Sequence, residues 1–187
     1  MRKSREEAAQ TRKRIVTAAS GEFRKNGIVA TGLNDLMSAA GLTHGGFYKH
    51  FESKDQLVAE ACAEAVKTIL ERLAVAASKK GGAAAAYLST GHRDNPAAGC
   101  PLSAIGSELA RSDEKTRAAA TTGFLKLVEI MAGQFGKVPP AAALRRALVG
   151  VSTMIGALTM SRIVTDPELS AEILKEAEMN LAVDNPG

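Results

Sequence analysis

The chain has 187 residues, enough for one large domain or two small ones and too few for most multidomain enzymes. Apolar residues make up 45% of the chain and charged residues 24%, a balance that excludes a disordered tail and a coiled-coil rod. Only 4% of the residues are aromatic and none is Trp, which favours helices over a β-sandwich. The two cysteines, Cys62 and Cys100, are too few for a disulfide framework and lack the CxxC spacing of metal sites, so we expect no cofactor.

The first residues and the most apolar stretch bear on the cellular compartment of the protein. Residues 1–7 contain no apolar run of the kind found in a signal peptide. The apolar run at 147–160 has about 14 residues, short of the roughly 20 that cross a bilayer. We therefore expect a cytoplasmic protein.

The basic charge is concentrated at one end of the chain. Residues 1–57 carry ten Lys and Arg against six Asp and Glu, whereas residues 58–187 carry fourteen of each sign. The formal net charge of +4 therefore lies entirely in the first third. A basic module joined to a neutral one indicates a polyanionic partner, although a solvated, charge-rich helix face explains the same counts.

Helical periodicity begins near the N-terminus. Apolar residues recur every four positions and predict a helix over 6–25. Two short helices follow, over 33–40 and from about 44 to 51, with Gly41 between them and Thr43 placed to cap the second.

Ser53 then begins a long helix to residue 78, with Gln56 at the position of a capping box. A short helix is predicted over 83–89, followed by a polar loop over 91–99. Four further helices are predicted over 101–111, 112–135, 141–164 and 167–182. The sequence therefore predicts an all-α fold of about nine helices.

The pair of short helices at 33–51 has the spacing of a helix-turn-helix. A glycine-joined helical hairpin without a DNA role has the same pattern. Gly45 and Gly46 favour the DNA-binding interpretation, because each destabilises a helix by about 1 kcal/mol relative to Ala and yet allows close approach to a nucleic acid. The exposed face of the second helix also offers hydroxyl, imidazole and ammonium groups that can bind phosphates or base edges.

Residues 10–60 resemble the tetracycline-repressor (TetR) family of bacterial transcriptional regulators. The resemblance rests on TGLNDL at 31–36, AGLTHGGFYKHF at 40–51 and SKDQL at 53–57. Members of this family share a three-helix DNA-binding head joined by a long fourth helix to a helical ligand-binding and dimerisation domain. The resemblance implies a head over 1–52 and a second domain over 53–187, and the function of a repressor that a small-molecule inducer releases from a palindromic operator.

The resemblance also implies which residues contact DNA. Residues at the start of the recognition helix would face bases or adjacent phosphates, and the others would mainly hold the phosphate backbone, while Phe47 and Phe51 would be core. His44 and Gly46 fall where the family varies. The implied contact residues are Thr31, Thr43, His44, Gly45, Tyr48, Lys49, His50 and Lys54.

Two helices near the C-terminus carry apolar stripes suited to packing against another helix. Residues 144, 148, 151, 155 and 158 are spaced by three and four. A seam inside one chain has the same spacing. The family pairs its last two helices with those of a second subunit, so the resemblance implies a homodimer through about residues 141–182.

In the family, the middle helices enclose a pocket for a small molecule. The lack of a charged residue that would pair with a charged ligand favours an apolar or weakly polar inducer. Each apolar residue in this region is also explained as ordinary core. The candidate lining residues are Leu73, Tyr87, Leu102, Ile105, Phe124, Leu127, Met131 and Met154.

Cys100 suggests an alternative regulator that senses electrophiles or oxidants. It precedes Pro101 at a predicted helix start, where the helix dipole would lower the pKa of a thiol, although a small residue at an N-cap explains it as well.

A helical enzyme would have to use His92 and Cys100, but no orienting third group, phosphate loop or HExxH accompanies them. An architectural DNA binder would need basic charge over residues 58–187. We therefore expect a regulator and no catalysis.

Overall fold

The computed structural model describes residues 5–79, 81–136 and 138–183. Within these ranges the chain forms ten α-helices and three short 3-10 helices and contains no strand, which confirms the all-α prediction. The 3-10 helices are His44–Lys49, Pro96–Ala98 and Gly133–Phe135. The α-helices are α1 (Arg5–Asn26), α2 (Leu33–Ala39), α3 (Lys54–Ala77), α4 (Gly82–Tyr87), α5 (Thr90–Asp94), α6 (Pro101–Ala104), α7 (Gly106–Leu109), α8 (Glu114–Ala132), α9 (Pro140–Ile163) and α10 (Pro167–Val183).

The N-terminal helices α1 and α2 and the 3-10 helix His44–Lys49 form a head around one hydrophobic cluster. Gly41 joins α2 to the 3-10 helix with φ of 67°, a left-handed conformation that favours glycine, so the predicted turn is confirmed. The cluster also includes residues from α3, α6 and α7. Its most buried large side chains are Ile15, Phe23, Leu36, Met37, Phe47, Phe51 and Leu57.

The 3-10 helix His44–Lys49, which we call the recognition segment, is shorter than the α-helix predicted from about 44 to 51. Thr43 takes the N-cap position, but its side chain makes no capping hydrogen bond. Two consecutive glycines lower helix propensity, and tight 3-10 turns are common in such short pieces. The prediction of a helix was therefore right in position and wrong in type.

Helix α3 begins as the sequence predicts. The Ser53 hydroxyl accepts a hydrogen bond from the Gln56 amide at 3.1 Å. The Gln56 side chain accepts from the Glu52 amide at 2.8 Å, one residue before the usual partner in a capping box. The 24 residues of α3 make a rod of about 36 Å that enters the head cluster through Leu57. Through Leu73 it enters a second hydrophobic cluster, which we call the body cluster and which also contains Tyr87, Leu127 and Met154.

The remaining helices form a body in which α8 packs on α3, α9 on α8 and α10 on α9. The polar loop predicted at 91–99 is wrong, because α5 and the 3-10 helix Pro96–Ala98 occupy most of it. The helix predicted at 101–111 is divided into α6 and α7 at Ile105, where φ is −132°. The Ile105 side chain at this break is buried in the head cluster.

Helix α9 is longer than its most apolar stretch suggests. Among the described residues it is the one helix long and apolar enough to cross a membrane by length and composition alone. Core helices of soluble proteins pass the same test. Here α9 packs between α8 and α10, and a third of its most apolar window is buried.

Candidate nucleic-acid interface

The recognition segment presents a polar face that is fixed from below by aromatic residues. Phe47 is fully buried and stacks on Phe51 with 5.5 Å between ring centroids. Tyr48 packs edge-on against Phe47 at 5.1 Å, yet 69% of its surface is exposed. The exposed Tyr48 side chain is therefore supported by the buried Phe47 ring.

The first half of the recognition segment is also open. Thr43 and His44 are exposed, as is Lys49 at the other end. Gly45 is exposed, and a Cβ added there would meet nothing within 4 Å. Its φ is outside the left-handed region, so neither the backbone nor the packing of this chain requires a glycine at that position. The missing side chain leaves room for an external surface to approach the backbone.

Thr31 is a correction to the predicted contacts. Its side chain is buried, and its hydroxyl donates to the Gly27 carbonyl at 2.5 Å, at the end of α1. The single hydroxyl hydrogen is thus bonded inside the head in this conformation, and donation to a phosphate would require the bond to Gly27 to break. Thr31 instead fixes the turn between α1 and α2.

Lys54 and His50 are less accessible than the other predicted contacts. Both are half-buried, and the Lys54 ammonium donates to the Ile28 carbonyl at 2.6 Å. An ammonium has three donors, so Lys54 retains hydrogens for a phosphate at the start of α3.

Arg12 is a structural residue that the sequence interpretation did not single out. Its guanidinium forms a bidentate pair with the Glu60 carboxylate of α3, which raises the pKa of Arg12. Its Nε donates to the His50 carbonyl at 3.2 Å, and its Cζ lies 4.5 Å from the centroid of the Phe51 ring. Arg12 therefore joins α1, the end of the recognition segment and α3. The sequence signal available for this structural role was the position of Arg12, three residues before the buried Ile15.

The predicted ligand pocket is largely filled. Leu73, Tyr87, Leu127 and Met154 are buried members of the body cluster. Leu102 and Phe124 pack against that cluster, and Ile105 belongs to the head cluster. Spacing identified the buried faces correctly, but the eight residues are divided between two packed clusters and do not meet around one cavity.

The body has cavities at its surface instead. One of about 780 Å³ lies between the ends of α3, α4, α8 and α10, and Met131 of the predicted lining set borders it together with Gln134 and Phe135. A second, of about 690 Å³, follows the seam between α3 and α8 over Val66 and Ile130. Both volumes are in the range of small-molecule sites.

Cys100 does not have the environment expected of a reactive thiol. It is fully buried, and burial raises the pKa of its thiol, opposite to the predicted effect of a helix start. The helix that follows, α6, has only four residues. Burial likewise raises the pKa of Cys62 to about 11. The sensing alternative needs a thiolate at Cys100, which burial disfavours in this conformation, whereas the interpretation of Cys100 as a small packed residue at a helix start agrees with its burial.

His92 lies beside Cys100 but binds its backbone. The Cys100 amide donates to Nε2 of His92 at 2.9 Å, and Nδ1 lies 2.7 Å from the Tyr87 carbonyl. Nε2 must therefore be the acceptor and Nδ1 the donor, the pattern of a neutral ring. Burial lowers the pKa of His92 to about 4, so the ring is neutral at pH 7. This geometry is structural and does not form a base–nucleophile pair.

The predicted seam on α9 divides into two faces. Val151 and Leu158 are fully buried in the body, whereas Leu144 and Leu148 are exposed. The exposed apolar surface extends along both C-terminal helices. It comprises Leu144, Leu148, Val149, Met160 and Ile163 on α9 and Leu169 and Met179 on α10.

Helix α2, the turn at Gly41 and the recognition segment together define a helix-turn-helix protein, and the remaining helices give it a helical body. Residues 15–61 match the bacterial regulatory proteins of the tetR family, and residues 62–174 match the C-terminal domain of LmrA/YxaF-like transcriptional regulators. The second match alone covers more than half of the chain. The protein therefore belongs to the TetR family of bacterial regulatory proteins.

Individual relatives resemble the chain over different lengths. TtgR, an HTH-type transcriptional regulator of Pseudomonas putida, is 43% identical over 31% of this chain and 28% of its own length. The "Probable acrEF/envCD operon repressor" of Escherichia coli is 39% identical over 32% of this chain and 27% of its own. These matches thus span less than a third of each relative. A TetR transcriptional regulator from Chloroflexus aurantiacus is similar in structure over 95% of both chains, with a TM-score of 0.76 and 27% identity.

Proposed function

We propose that the protein is a cytoplasmic, homodimeric repressor of transcription that binds a palindromic operator and is released by a small molecule. The head over residues 1–52 reads DNA, and residues 53–187 bind the ligand and the second subunit. The observation that carries the proposal is the polar, exposed recognition segment held rigidly on Phe47 and Phe51. Family membership and a relative named as an operon repressor support it.

The recognition segment would enter the major groove with its N-terminal end towards the bases. The exposed Thr43 and His44 would contact base edges, and Gly45 would let the backbone approach. Lys49 supplies a charge for a base or a phosphate.

Tyr48, Lys54 and His50 would hold the DNA backbone on either side of the segment. Contacts of this kind orient the protein without reading sequence. The basic excess of residues 1–57 adds an attraction to any duplex that weakens as salt rises.

The exposed apolar face of α9 and α10 is the proposed dimer interface. A two-fold axis through it would place two recognition segments over successive turns of the duplex, about 34–36 Å apart or a multiple of that. Leu148→Asp would put a charge in this face and should convert the dimer into a monomer. Sedimentation velocity measures that change, and Leu125→Asp, at an exposed leucine on α8, is the matched control.

The small molecule would act by favouring a conformation that does not fit the operator. Reversing the populations from 1:99 to 99:1 requires about 5.5 kcal/mol of differential affinity. Because the body core is filled, the two surface cavities are the available entry points. Sensing through Cys100 is not part of this proposal, since the thiol is buried and protonated.

Selection from random duplex DNA tests the proposal. Purified protein should enrich one palindromic sequence, and fluorescence anisotropy should show about 10³-fold or tighter binding to it than to a scrambled duplex at the same salt. Equal affinity for both duplexes would refute sequence-specific regulation. A Lys49→Ala variant should lose affinity for the selected operator and retain its helical content.

A further inference from the structure

Residues 92–101, which we call the clamped segment, receive hydrogen bonds from arginines of three different helices. Arg24 of α1 donates to the Gly99 carbonyl at 2.5 Å, and Arg72 of α3 donates to the Ala98 carbonyl at 2.9 Å. Arg162 of α9 donates to the carbonyls of His92 at 2.7 Å and Arg93 at 3.0 Å. Charged donors make stronger hydrogen bonds than neutral ones, so the head, the connecting rod and a body helix all hold one short stretch of backbone.

The clamped segment is also held by contacts within itself. The hydrogen bond from the Cys100 amide to the His92 ring closes the segment on itself. Gly99 lies so close to this ring that an added Cβ would be 2.6 Å from Nε2 of His92. The end of the segment held by Arg162 is therefore in direct contact with the end held by Arg24.

Arg24 is an unusual residue for the inside of a small helical head. Only 8% of its surface is exposed, and burial lowers the pKa of its guanidinium. Its other hydrogen bonds go to the carbonyl at 2.7 Å and the hydroxyl at 3.0 Å of Ser20, so its described partners include no carboxylate. A buried cation without an anion is a poor way to stabilise a core, and an apolar side chain of similar volume would pack there at lower desolvation cost.

A second contact attaches the head to the same part of the body. The Glu108 carboxylate of α7 accepts from the amides of Ile28 at 3.1 Å and Val29 at 2.9 Å, in the turn between α1 and α2. The hydrogen bond from Arg24 holds the last helical turn of α1. The hydrogen bonds to Glu108 hold the connection between α1 and α2. Together they oppose rotation of the head about the long α3 rod.

We propose that Arg24 is a positioning residue, which by bonding Gly99 fixes the orientation of the head on the body and thereby the spacing of the two recognition segments in the dimer. This inference rests on the proposed function. In this inference, the buried guanidinium of Arg24 determines which separation of the two half-sites the dimer prefers. The exposed residues of the recognition segment do not determine that separation.

The test compares Arg24→Lys with Arg72→Lys. Each removes a guanidinium that bonds the clamped segment and retains the charge, so the attraction to phosphates is unchanged, but only Arg24 belongs to the head. Affinities are measured by anisotropy for the selected operator and for the same operator with one base pair inserted at its centre. The insertion rotates one half-site by about 34–36° relative to the other.

Wild type and Arg72→Lys should bind the lengthened operator at least about tenfold more weakly than the original. Arg24→Lys should lower this ratio to about threefold or less, with unchanged affinity for scrambled DNA. Retention of the full ratio in Arg24→Lys, or its equal loss in Arg72→Lys, would overturn the inference. Failure of the wild type to enrich any operator would instead refute the proposed function.

Circular dichroism shows whether Arg24→Lys folds. If it does not, Gly99→Ala perturbs the same contact from the body, because its Cβ must displace the His92 ring. A folded Gly99→Ala protein should also lose discrimination between the two spacings, and full discrimination there would contradict the proposal.

Discussion

Replacing Gly45 by alanine should change folding stability and DNA affinity in opposite directions. A Cβ at this position meets nothing within 4 Å, and φ is not left-handed, so the substitution introduces no clash or strain. Alanine also has less backbone entropy to lose than glycine. The free energy of unfolding should therefore rise by about 0.5–1 kcal/mol.

The same methyl group should impair binding if the Gly45 backbone lies against DNA. We expect the Kd for the selected operator to rise by about ten- to a hundredfold, equivalent to about 1.4–2.8 kcal/mol. Urea unfolding measures the first effect and fluorescence anisotropy the second. Measuring both on one preparation separates a lost contact from a lost fold.

Gly133→Ala provides the matched control, since its Cβ also meets nothing within 4 Å and it lies at the end of α8 in the body. The free energy of unfolding of Gly133→Ala should equal that of Gly45→Ala or be slightly lower. Gly133→Ala should bind the operator as tightly as wild type. Unchanged operator affinity in Gly45→Ala would show that the backbone of the recognition segment does not approach DNA, and the docking described above would be wrong.

Three other measurements test separate parts of the structure. Tyr48→Ala removes an exposed hydroxyl proposed to hold a phosphate, so operator and scrambled DNA should both be bound about tenfold more weakly in anisotropy titrations; a loss confined to the operator would mean that Tyr48 reads bases. Cys62 and Cys100 are buried and their thiol pKa values are raised, so iodoacetamide should label them in urea but not in the native protein, and rapid native labelling detected by mass spectrometry would restore the sensing hypothesis. Because burial lowers the pKa of His92 to about 4, the unfolded state binds the proton more tightly, and stability should fall by about 3 kcal/mol as pH drops from 6.5 to 4. His92→Gln should lack this part of the pH dependence in urea unfolding, and an identical slope in both proteins would contradict the assigned neutral ring.

The head could be predicted almost completely from the sequence because its signals are local. Apolar spacing located α1 and α2, a glycine marked the turn at Gly41, and Ser53 with Gln56 marked the start of α3. The type of the recognition segment was missed, since local preferences do not resolve six residues containing Gly45 and Gly46 into one helix form.

The body was harder to predict because long-range contacts decide its middle part. Residues 91–99 are polar and include a proline, the composition of a loop, yet they form helical turns held by Arg24, Arg72 and Arg162 from distant parts of the chain. No local pattern reveals such hydrogen bonds.

Burial is the property of the candidate site residues that the sequence could not supply. A helix start was visible at Cys100, but the sequence could not show that the thiol is enclosed on all sides. Thr31 matches a family position, but only the structure shows its hydroxyl bound to Gly27. For the pocket, periodicity identified inward-facing residues such as Met154, whereas the presence of a void depends on how side-chain volumes fit together.

The head cluster extends beyond the head, and this affects how the protein can be recombined with others. The cluster around Phe23 is completed by Leu57 and Ala61 of α3, by Ile105 between α6 and α7, and by Leu109 of α7. A chimera that transplants only residues 1–52 would exchange one side of this shared core and keep the other. Grafting a new operator preference onto this scaffold therefore requires matching residues at 57, 61, 105 and 109, or restricting the exchange to the exposed positions of the recognition segment.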